Sequence, residues 1–166
     1  MLHYLRHSKR RFKWCCVDIW KSERLAIMLH YMDFVEGQGV EFHVQNSLEF
    51  LWETDEKFDL VFLDGDHNYH TVSKELEMLP DCMTETGIII VDDYHGRWSE
   101  KDLWYAERDS HSDPGVQARA TQRAETDKHG VRPAVDEFLK ANPEWTGVVP
   151  MIGEPILLVR KDPPDD

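Results

Sequence analysis

The sequence predicts an α/β fold in which a mostly parallel sheet is covered by helices on both faces. Short apolar runs alternate with segments of helical periodicity along most of the chain. Two of these runs, FDLVFL at 58–63 and GIIIV at 87–91, are apolar except at Asp59, which is typical of parallel strands buried on both faces. The 166 residues are 41% hydrophobic, which suits one domain with a core over 1–166.

The first half of the chain predicts two strands separated by a helix. Residues 12–20, FKWCCVDIW, form an apolar run that contains Asp18 near its end. The segment VEFHV at 40–44 alternates apolar and polar side chains, as strands do. Between them, apolar residues recur at helical spacing, with Ser22 as a candidate cap and Gly37 and Gly39 as the stop: Leu25, Met28, Leu29, Met32 and Val35.

The FDLVFL strand is followed by a predicted helix and then by the GIIIV strand. The helix has one apolar face, followed by Pro80, and this face consists of Tyr69, Val72, Leu76 and Leu79. The GIIIV strand begins at Gly87 and ends at the acid pair Asp92 and Asp93. Residues 97–128 are polar and weakly patterned, which predicts a lid or insertion.

A last helix and a closing pair of strands are predicted near the end of the sequence. The helix begins at about Pro133, a favoured first-turn residue. Its apolar face consists of Val131, Val135, Phe138 and Leu139. The segments WTGVVPMI and PILLVRK, separated by Gly153 and Glu154, predict the strand pair.

The charge composition of the chain limits the kinds of molecule that the protein is expected to bind. The chain has 32 acids and 19 bases, for a net charge of −13, which argues against a nucleic-acid partner. A cluster of bases at the start of the chain is interpreted as a solvated helix end: Arg6, Lys9, Arg10, Arg11 and Lys13.

The spacing of the cysteines and the hydropathy of the chain predict the cellular compartment of the protein. Cys15, Cys16 and Cys82 have neither disulfide-framework nor zinc-site spacing, which fits a reducing compartment. No apolar run is long enough to span a bilayer, so we expect a cytoplasmic protein without a membrane partner.

Three predicted strands end in acid, at Asp18, at Asp64 and at the pair Asp92 and Asp93. Because ligands of parallel sheets bind beyond the carboxyl ends of the strands, we expect these side chains to share one rim. Asp64, Asp92 and Asp93 could hold a divalent cation such as Mg²⁺. The alternatives are that Asp64 or Asp66 only caps the following helix and that the acid pair is solvated and inert.

Further residues near these strand ends are candidates for catalysis and binding. His67 and His95 could each act as a base near neutral pH, although an uninvolved surface role is as well supported for either. Asp18 is placed to accept hydrogen bonds from a ribose diol, and Ile19 to pack on a purine ring. Asn46 and Ser47, beyond the VEFHV strand, could reach the edge of the same base.

The motifs FDLVFLDGDHNY and GIIIVDDYH, with CVDIW and GVRPAVDEFL, resemble class I S-adenosylmethionine-dependent methyltransferases. More specifically, they resemble the subgroup with a strand–DGDH–Y–helix element and a later strand ending in DD-Y. The resemblance covers roughly 12–160 apart from the segment near 97–128, and it implies a Rossmann-like sheet of seven strands whose last strand is antiparallel.

The resemblance also implies roles for individual residues. S-adenosylmethionine would bind with its ribose at Asp18, its adenine near Ile19, Asn46 and Ser47, and its methionine end near Asp64. In metal-dependent relatives, the positions of Asp64, Asp92 and Asp93 hold a divalent ion that orients a substrate hydroxyl. A lysine base of the catechol-type relatives is replaced here by His67.

One departure concerns the start of the family pattern. The family's first strand and glycine-rich loop precede the Asp18 strand, whereas the first glycine here is Gly37. In the family sheet that first strand lies between the Asp18 and FDLVFL strands, so either these two strands close up, another chain fills the gap, or the sequence is truncated. Of these we expect an N-terminally truncated methyltransferase-like domain that lacks the first strand. The lost loop would weaken binding of the cofactor.

The leading functional hypothesis is O-methylation of a small hydroxylated molecule, with catalytic roles for Asp64, His67 and His95. One alternative is a catalytically impaired fragment or a non-enzymatic remnant of the fold. A Mg²⁺-dependent phosphohydrolase, suggested by VFLDGD and IIIVDD, is disfavoured because the 25 residues between Asp66 and Asp92 hold only one helix. The sequence leaves a homo-oligomer open.

Overall fold

The computed structural model describes residues 13–21, 27, 39–108, 113–151 and 153–161. Two predictions from the sequence lie outside the described residues. One is the helix with the apolar face from Leu25 to Val35, together with its predicted cap and stop at Ser22 and Gly37. The other is the basic cluster at the start of the chain, apart from Lys13.

A two-stranded parallel sheet contains the first predicted strands. Strand β1 spans Lys13–Asp18 and pairs with β2, Gly39–Val44, in a register that places Asp18 opposite Val44. The backbone N–H of Gln45 donates to the carbonyl of Asp18 at 3.1 Å, which extends the pairing by one residue. Both strands therefore end at the same level.

A four-stranded sheet contains the remaining strands in the order β3-β4-β6-β5. Strand β3, Phe58–Leu63, runs parallel to β4, Met83–Val91. Strand β6, Ile156–Arg160, is antiparallel to both β4 and β5, and β5 spans Trp145–Val148. The predicted antiparallel closing pair is thus confirmed.

The predicted α/β class is confirmed, but the pairing is mixed. Within the described residues, β1 and β3 belong to separate sheets, so the strands form two sheets instead of the single seven-stranded one that the resemblance implies. Strand β4 begins at Met83, four residues before the predicted start at Gly87.

The described helices are α1, Ser47–Glu53; α2, Tyr69–Cys82; α3, Pro114–Arg119; and α4, Val131–Ala141. A 3-10 turn spans Tyr105–Glu107. Among the described residues, no helix has the length and apolarity that a membrane crossing requires.

Three helix predictions need correction. Helix α1 was not predicted, because its seven residues are too few to show a helical period. Helix α2 continues past Pro80 to Cys82. Because Pro80 lies in the last turn, its missing N–H removes only one hydrogen bond at the end of the helix. Helix α4 begins at Val131, two residues before the predicted Pro133.

The hydrophobic core lies where α2 and α4 pack on the four-stranded sheet. Its most buried apolar side chains come from both helices and from β4, β5 and β6: Leu76, Leu79, Ile89, Val135, Trp145 and Leu158. The core therefore holds the carboxyl ends of β3 and β4, and the residues that follow them, in a fixed position.

Asn68 caps α2 and should contribute measurably to stability. Its fully buried side chain accepts from the N–H of Thr71 at 2.8 Å and donates to the carbonyl of Leu103 at 3.4 Å. We expect Asn68→Ala to lower the free energy of unfolding in urea by about 1–2 kcal/mol, because a cap hydrogen bond is lost. Asn68→Ser should retain most of the stability, and an equal loss in both variants would contradict the capping role.

Candidate active site

A cavity of about 780 Å³ is bounded by β1 on one side and β3 on the other. Every residue of β1 and most residues of β3 contribute to its lining. Its polar groups come from Lys13 of β1, from residues that follow the strands, from α2, and from Tyr105 and Thr121. The volume is typical of small-molecule sites. The cavity lies where the two sheets are separate, so its position follows from the strand order.

Asp18 and Ile19 lie together in this lining, at the carboxyl end of β1. The Asp18 carboxylate accepts a hydrogen bond from the N–H of Trp20 at 3.1 Å. The carbonyl of Ile19 accepts from Arg119 Nε at 2.9 Å, which connects β1 to α3. An exposed carboxylate therefore stands beside a half-buried apolar side chain in the cavity wall.

Asn46 and Ser47 also line the cavity. The buried Asn46 caps α1 by accepting from the N–H of Leu48 at 2.8 Å. Its amide nitrogen donates to the carbonyl of Arg119 at 2.8 Å and to Thr121 Oγ1 at 3.1 Å. Both N–H donors of Asn46 are thus used within the protein.

Asp64, His67 and Asp93 form a contiguous group beyond β3 and β4. His67 Nε2 lies 3.6 Å from Asp64 Oδ1, and His67 Nδ1 lies 3.3 Å from Asp93 Oδ2. His67 and Asp93 are buried, whereas about half of the Asp64 side chain is exposed. Of these residues Asp64 lines the cavity, whereas His67 is buried next to Asp64 and is not part of the lining. Asp93 has a φ of 56°, a strained conformation for a residue other than glycine.

Asp64 also interacts with Asp92. Burial and then the neighbouring Asp92 charge raise the pKa of Asp64, and the two carboxyls are close enough to hydrogen bond. Asp93 instead faces His67, and no three His, Cys, Asp or Glu side chains in the described part of the chain are arranged to hold a metal ion. The divalent cation predicted at Asp64, Asp92 and Asp93 therefore stays a prediction.

His95 lies apart from the cavity lining. Its ring is exposed, its Nδ1 is 2.8 Å from the guanidinium of Arg132, and its backbone N–H donates to the carbonyl of Glu154 at 2.8 Å. The two candidate histidines are therefore not equivalent, since His67 contacts a cavity carboxylate and His95 contacts Arg132.

Asp66 joins the turn after β3 to a later segment instead of capping α2. Its carboxylate accepts from the N–H of Tyr105 at 2.7 Å, and burial raises the pKa of Asp66 to about 6. The N–H of Leu103 donates to the carbonyl of His67 at 2.9 Å. These bonds place Tyr105 in the cavity lining, so the 97–128 segment contributes to the wall.

Two buried polar residues of α2, Glu75 and Thr71, complete the cavity lining. Glu75 is 3% exposed, and burial raises its pKa to about 7, although a hydrogen bond with Ser47 acts in the opposite direction. Thr71 is 1% exposed, and its Oγ1 has no hydrogen-bond partner. The buried Thr71 hydroxyl without a partner costs stability and needs an explanation.

Glu75 was not among the residues predicted from the sequence, although a signal for it exists. The buried face of α2 includes Val72, Leu76 and Leu79, and Glu75 lies within that arc on a helical wheel. An acid on the apolar face of a predicted helix has two explanations: the acid is a buried functional group, or the apolar face was assigned wrongly. The position of Glu75 in the cavity lining supports the first explanation.

Comparison with known families gives one match. A family profile described as a methyltransferase domain matches residues 1–94, which is more than half of the chain. No curated protein matches the sequence significantly.

Solved structures with a similar fold include several methyltransferases. The O-methyltransferase TomG from Streptomyces achromogenes, in complex with SAM, is 19% identical with a TM-score of 0.57, over 96% of this chain and 67% of that one. An O-methyltransferase from Bacillus cereus in complex with SAH is 20% identical with a TM-score of 0.52, over 90% and 63%. The SAH-bound methyltransferase PaMTH1 from Podospora anserina is 16% identical with a TM-score of 0.52, over 95% and 63%.

These similarities concern the fold, since all the identities are low. The chain spans 60 to 67% of the length of these structures and of a similar Corynebacterium glutamicum protein. Their shared architecture agrees with the α/β class predicted from the sequence.

Proposed function

The chain belongs to the methyltransferase domain family, and we propose that it is an S-adenosylmethionine-dependent methyltransferase that acts on a hydroxyl group of a small molecule. The observation that carries the proposal is the cavity, whose lining gathers Asp18, Ile19, Ser47 and Asp64. These residues lie at or just beyond the ends of three different strands, and each is predicted from the sequence to contact the methyl donor. The two similar structures described as O-methyltransferases support oxygen as the acceptor atom.

The donor would lie along the carboxyl ends of β1 and β3. The Asp18 carboxylate, exposed at the end of β1, would accept hydrogen bonds from the ribose hydroxyls. Ile19 would pack on the adenine ring, and Ser47 would reach its edge. Because both N–H donors of Asn46 are already used, its contribution would be to hold the start of α1. The methionine end would then point toward Asp64.

The reaction is a displacement in which the acceptor oxygen bonds to the methyl carbon while the carbon–sulfur bond breaks. The electron pair of that bond stays on sulfur, which becomes the neutral thioether of S-adenosylhomocysteine. The hydroxyl proton passes to the Asp64 carboxylate, the charged group of this cluster that faces the cavity. Its raised pKa brings it nearer to the range of an effective general base.

His67 would act through Asp64 and not directly on the acceptor. It lies between the carboxylates of Asp64 and Asp93, within 3.6 and 3.3 Å, and is buried behind the cavity wall. In that position it orients Asp64 and can share the transferred proton. His95 has no part in these steps, because it contacts Arg132 outside the lining.

The predicted cation at Asp64, Asp92 and Asp93 stays a prediction. Two of these carboxylates are adjacent, but Asp93 is turned toward His67. The steps above therefore use the side chains of the protein alone.

Binding of S-adenosylhomocysteine, measured by calorimetry on the 166-residue chain, tests the proposed function. We expect micromolar affinity, and we expect Asp18→Asn to weaken it roughly tenfold, because hydrogen bonds to a charged acceptor are lost. Asp59→Asn is the matched control, since Asp59 is an exposed acid of β3 outside the cavity lining. No binding by the wild-type chain at millimolar ligand would overturn the proposal.

A further inference from the structure

We propose that Asp102 is a positioning residue for methyl transfer, which acts through residues 98–105 on the acceptor side of the site, the part around Asp64 that receives the hydroxyl. The inference rests on the proposed function and extends it to a residue outside the cavity lining. It also gives a role to Gly130, which opens the GVRPAVDEFL motif and which the proposed function leaves without one.

The 98–105 segment bonds to the turn after β3 at two places. The N–H of Tyr105 donates to the Asp66 carboxylate at 2.7 Å, and the N–H of Leu103 donates to the carbonyl of His67 at 2.9 Å. Tyr105 is part of the cavity lining, and His67 lies beside the proposed base. The position of the segment therefore affects both groups.

The Asp102 carboxylate joins this segment to the starts of two helices. Its Oδ1 accepts from the N–H of Tyr69, the first residue of α2, at 3.2 Å and from the N–H of Gly130, directly before α4, at 2.8 Å. Its Oδ2 lies 2.7 Å from His129 Nδ1. Burial acts to raise the pKa of Asp102, but these three hydrogen bonds outweigh burial and lower the pKa. The carboxylate is therefore held in its charged form.

The start of α4 packs closely against the same segment. The N–H groups of Val131 and Arg132, which lack partners within the helix, donate to the carbonyls of Trp98 and Ser99 at 3.0 and 2.9 Å. Gly130 has a φ of 83°, and a Cβ at this position would lie 2.4 Å from the carbonyl oxygen of Ser99. Glycine is therefore required for the two backbones to approach so closely.

An apolar anchor remains when the Asp102 carboxylate is removed. Trp104 is 4% exposed and stacks on His70, with the ring centroids 6.2 Å apart. The segment should therefore stay attached to the protein, although the N–H groups at the starts of the two helices lose a charged acceptor. We expect a variant of Asp102 to fold and to hold the segment less precisely.

The contacts of Asp102 are separate from the proposed contacts of the methyl donor. The donor contacts come from the ends of β1 and β2 and from α1, whereas Asp102 bonds to the starts of α2 and α4. Loss of its charge should therefore shift the groups around Asp64 and leave the donor contacts in place. Such shifts are costly in rate, since a displacement of about 1 Å can slow an enzyme about 100-fold.

The test replaces Asp102 with asparagine, which keeps the shape of the side chain and removes its charge. With an acceptor found by screening hydroxylated compounds, we expect kcat/KM for that acceptor to fall by at least ~tenfold. Affinity for S-adenosylhomocysteine, measured by calorimetry, should stay within about twofold of the wild type. A purely structural role would lower both quantities together.

Amide hydrogen exchange is a second measurement, and it needs no acceptor. In Asp102→Asn the N–H groups of Leu103, Tyr105 and Gly130 should exchange at least ~tenfold faster than in the wild type, because the segment is held less firmly. The N–H of Ile89, in the core strand β4, should exchange at the wild-type rate. An equal increase at Ile89 would show a global loss of stability and would contradict the positioning role.

Two further variants make the comparison specific. His129→Ala removes a partner of Asp102 that is 56% exposed, and it should lower kcat/KM by about threefold without a change in thermal transition. Asp136→Asn is the matched control, because Asp136 is an exposed acid of α4 that accepts from the Tyr94 hydroxyl at 2.7 Å. This control should change neither turnover nor exchange at the 98–105 segment.

The outcomes separate this inference from the proposed function. Asp102 is not a positioning residue if Asp102→Asn turns over at the wild-type rate, if it loses donor affinity and turnover by the same factor, or if the amides of the segment exchange at wild-type rates. The methyl-donor site stands in each of these cases. If the wild-type chain does not bind S-adenosylhomocysteine at millimolar ligand, the proposed function and this inference both fail.

Discussion

Replacing Asp64 with asparagine is expected to slow methyl transfer by at least ~100-fold, the usual loss when a general base is removed. Asparagine has nearly the same size and can occupy the same place beside His67, but it cannot take the hydroxyl proton. The measurement is the initial rate of S-adenosylhomocysteine formation, with an acceptor found by screening small hydroxylated compounds with the wild-type chain.

Two controls show whether such a loss belongs to the chemical step. Affinity of Asp64→Asn for S-adenosylhomocysteine should stay within about threefold of wild type, and the thermal transition should be unchanged. Asp59→Asn, on the same strand but outside the lining, should retain full activity. Turnover of Asp64→Asn at the wild-type rate would reject Asp64 as the proton acceptor.

Replacing Glu75 with glutamine is expected to stabilise the protein at alkaline pH by about 2–3 kcal/mol. Burial raises the pKa of Glu75 from an ordinary 4.5 to about 7 in the folded protein, so ionising the carboxyl disfavours the folded state. Glutamine has almost the same shape, can still accept from Ser47 and carries no charge. The measurement is the free energy of unfolding in urea at pH 5 and pH 8.

The pH dependence has a definite sign. Below pH 4.5 the carboxyl is protonated in the folded and unfolded states, and the stabilities of wild type and Glu75→Gln should be close. As the pH rises toward 7 the unfolded chain loses this proton first, so the wild type loses stability that the variant retains. The difference should reach its plateau near pH 8.

The matched control is Glu77→Gln, whose acid is exposed and pairs with Lys74 at 2.7 Å. An exposed pair of this kind contributes little, so a change within about 0.5 kcal/mol is expected at both pH values. A less stable Glu75→Gln protein at pH 8 would show that the Glu75 carboxylate is favourably compensated in the folded state. A more stable Glu75→Gln protein at pH 8 would show that the Glu75 carboxylate lowers the stability of the folded protein, as functional groups often do.

The strands and the acids at their ends could be predicted from the sequence, because both depend on local patterns. GIIIV is apolar throughout and lies in the largely buried strand β4, as predicted. FDLVFL forms strand β3, but the prediction that β3 is covered on both faces is wrong, since Leu60 is 43% and Phe62 is 54% exposed. Asp18 ends β1 and Asp64 follows β3, and both line one cavity. The short helix α1 was missed, because a single buried side chain, Phe50, gives no period.

The α/β class, the strands and the acids at their ends follow from the sequence alone, since apolar periodicity and chain direction are local properties. Which side chains face the cavity depends instead on how distant segments pack together. This packing turns Asp93 toward His67, uses the Asn46 amide within the protein, binds Asp66 to Tyr105 and buries Glu75 beside Ser47. The physical reason is that these roles depend on partners distant in sequence, which packing alone brings within hydrogen-bond distance.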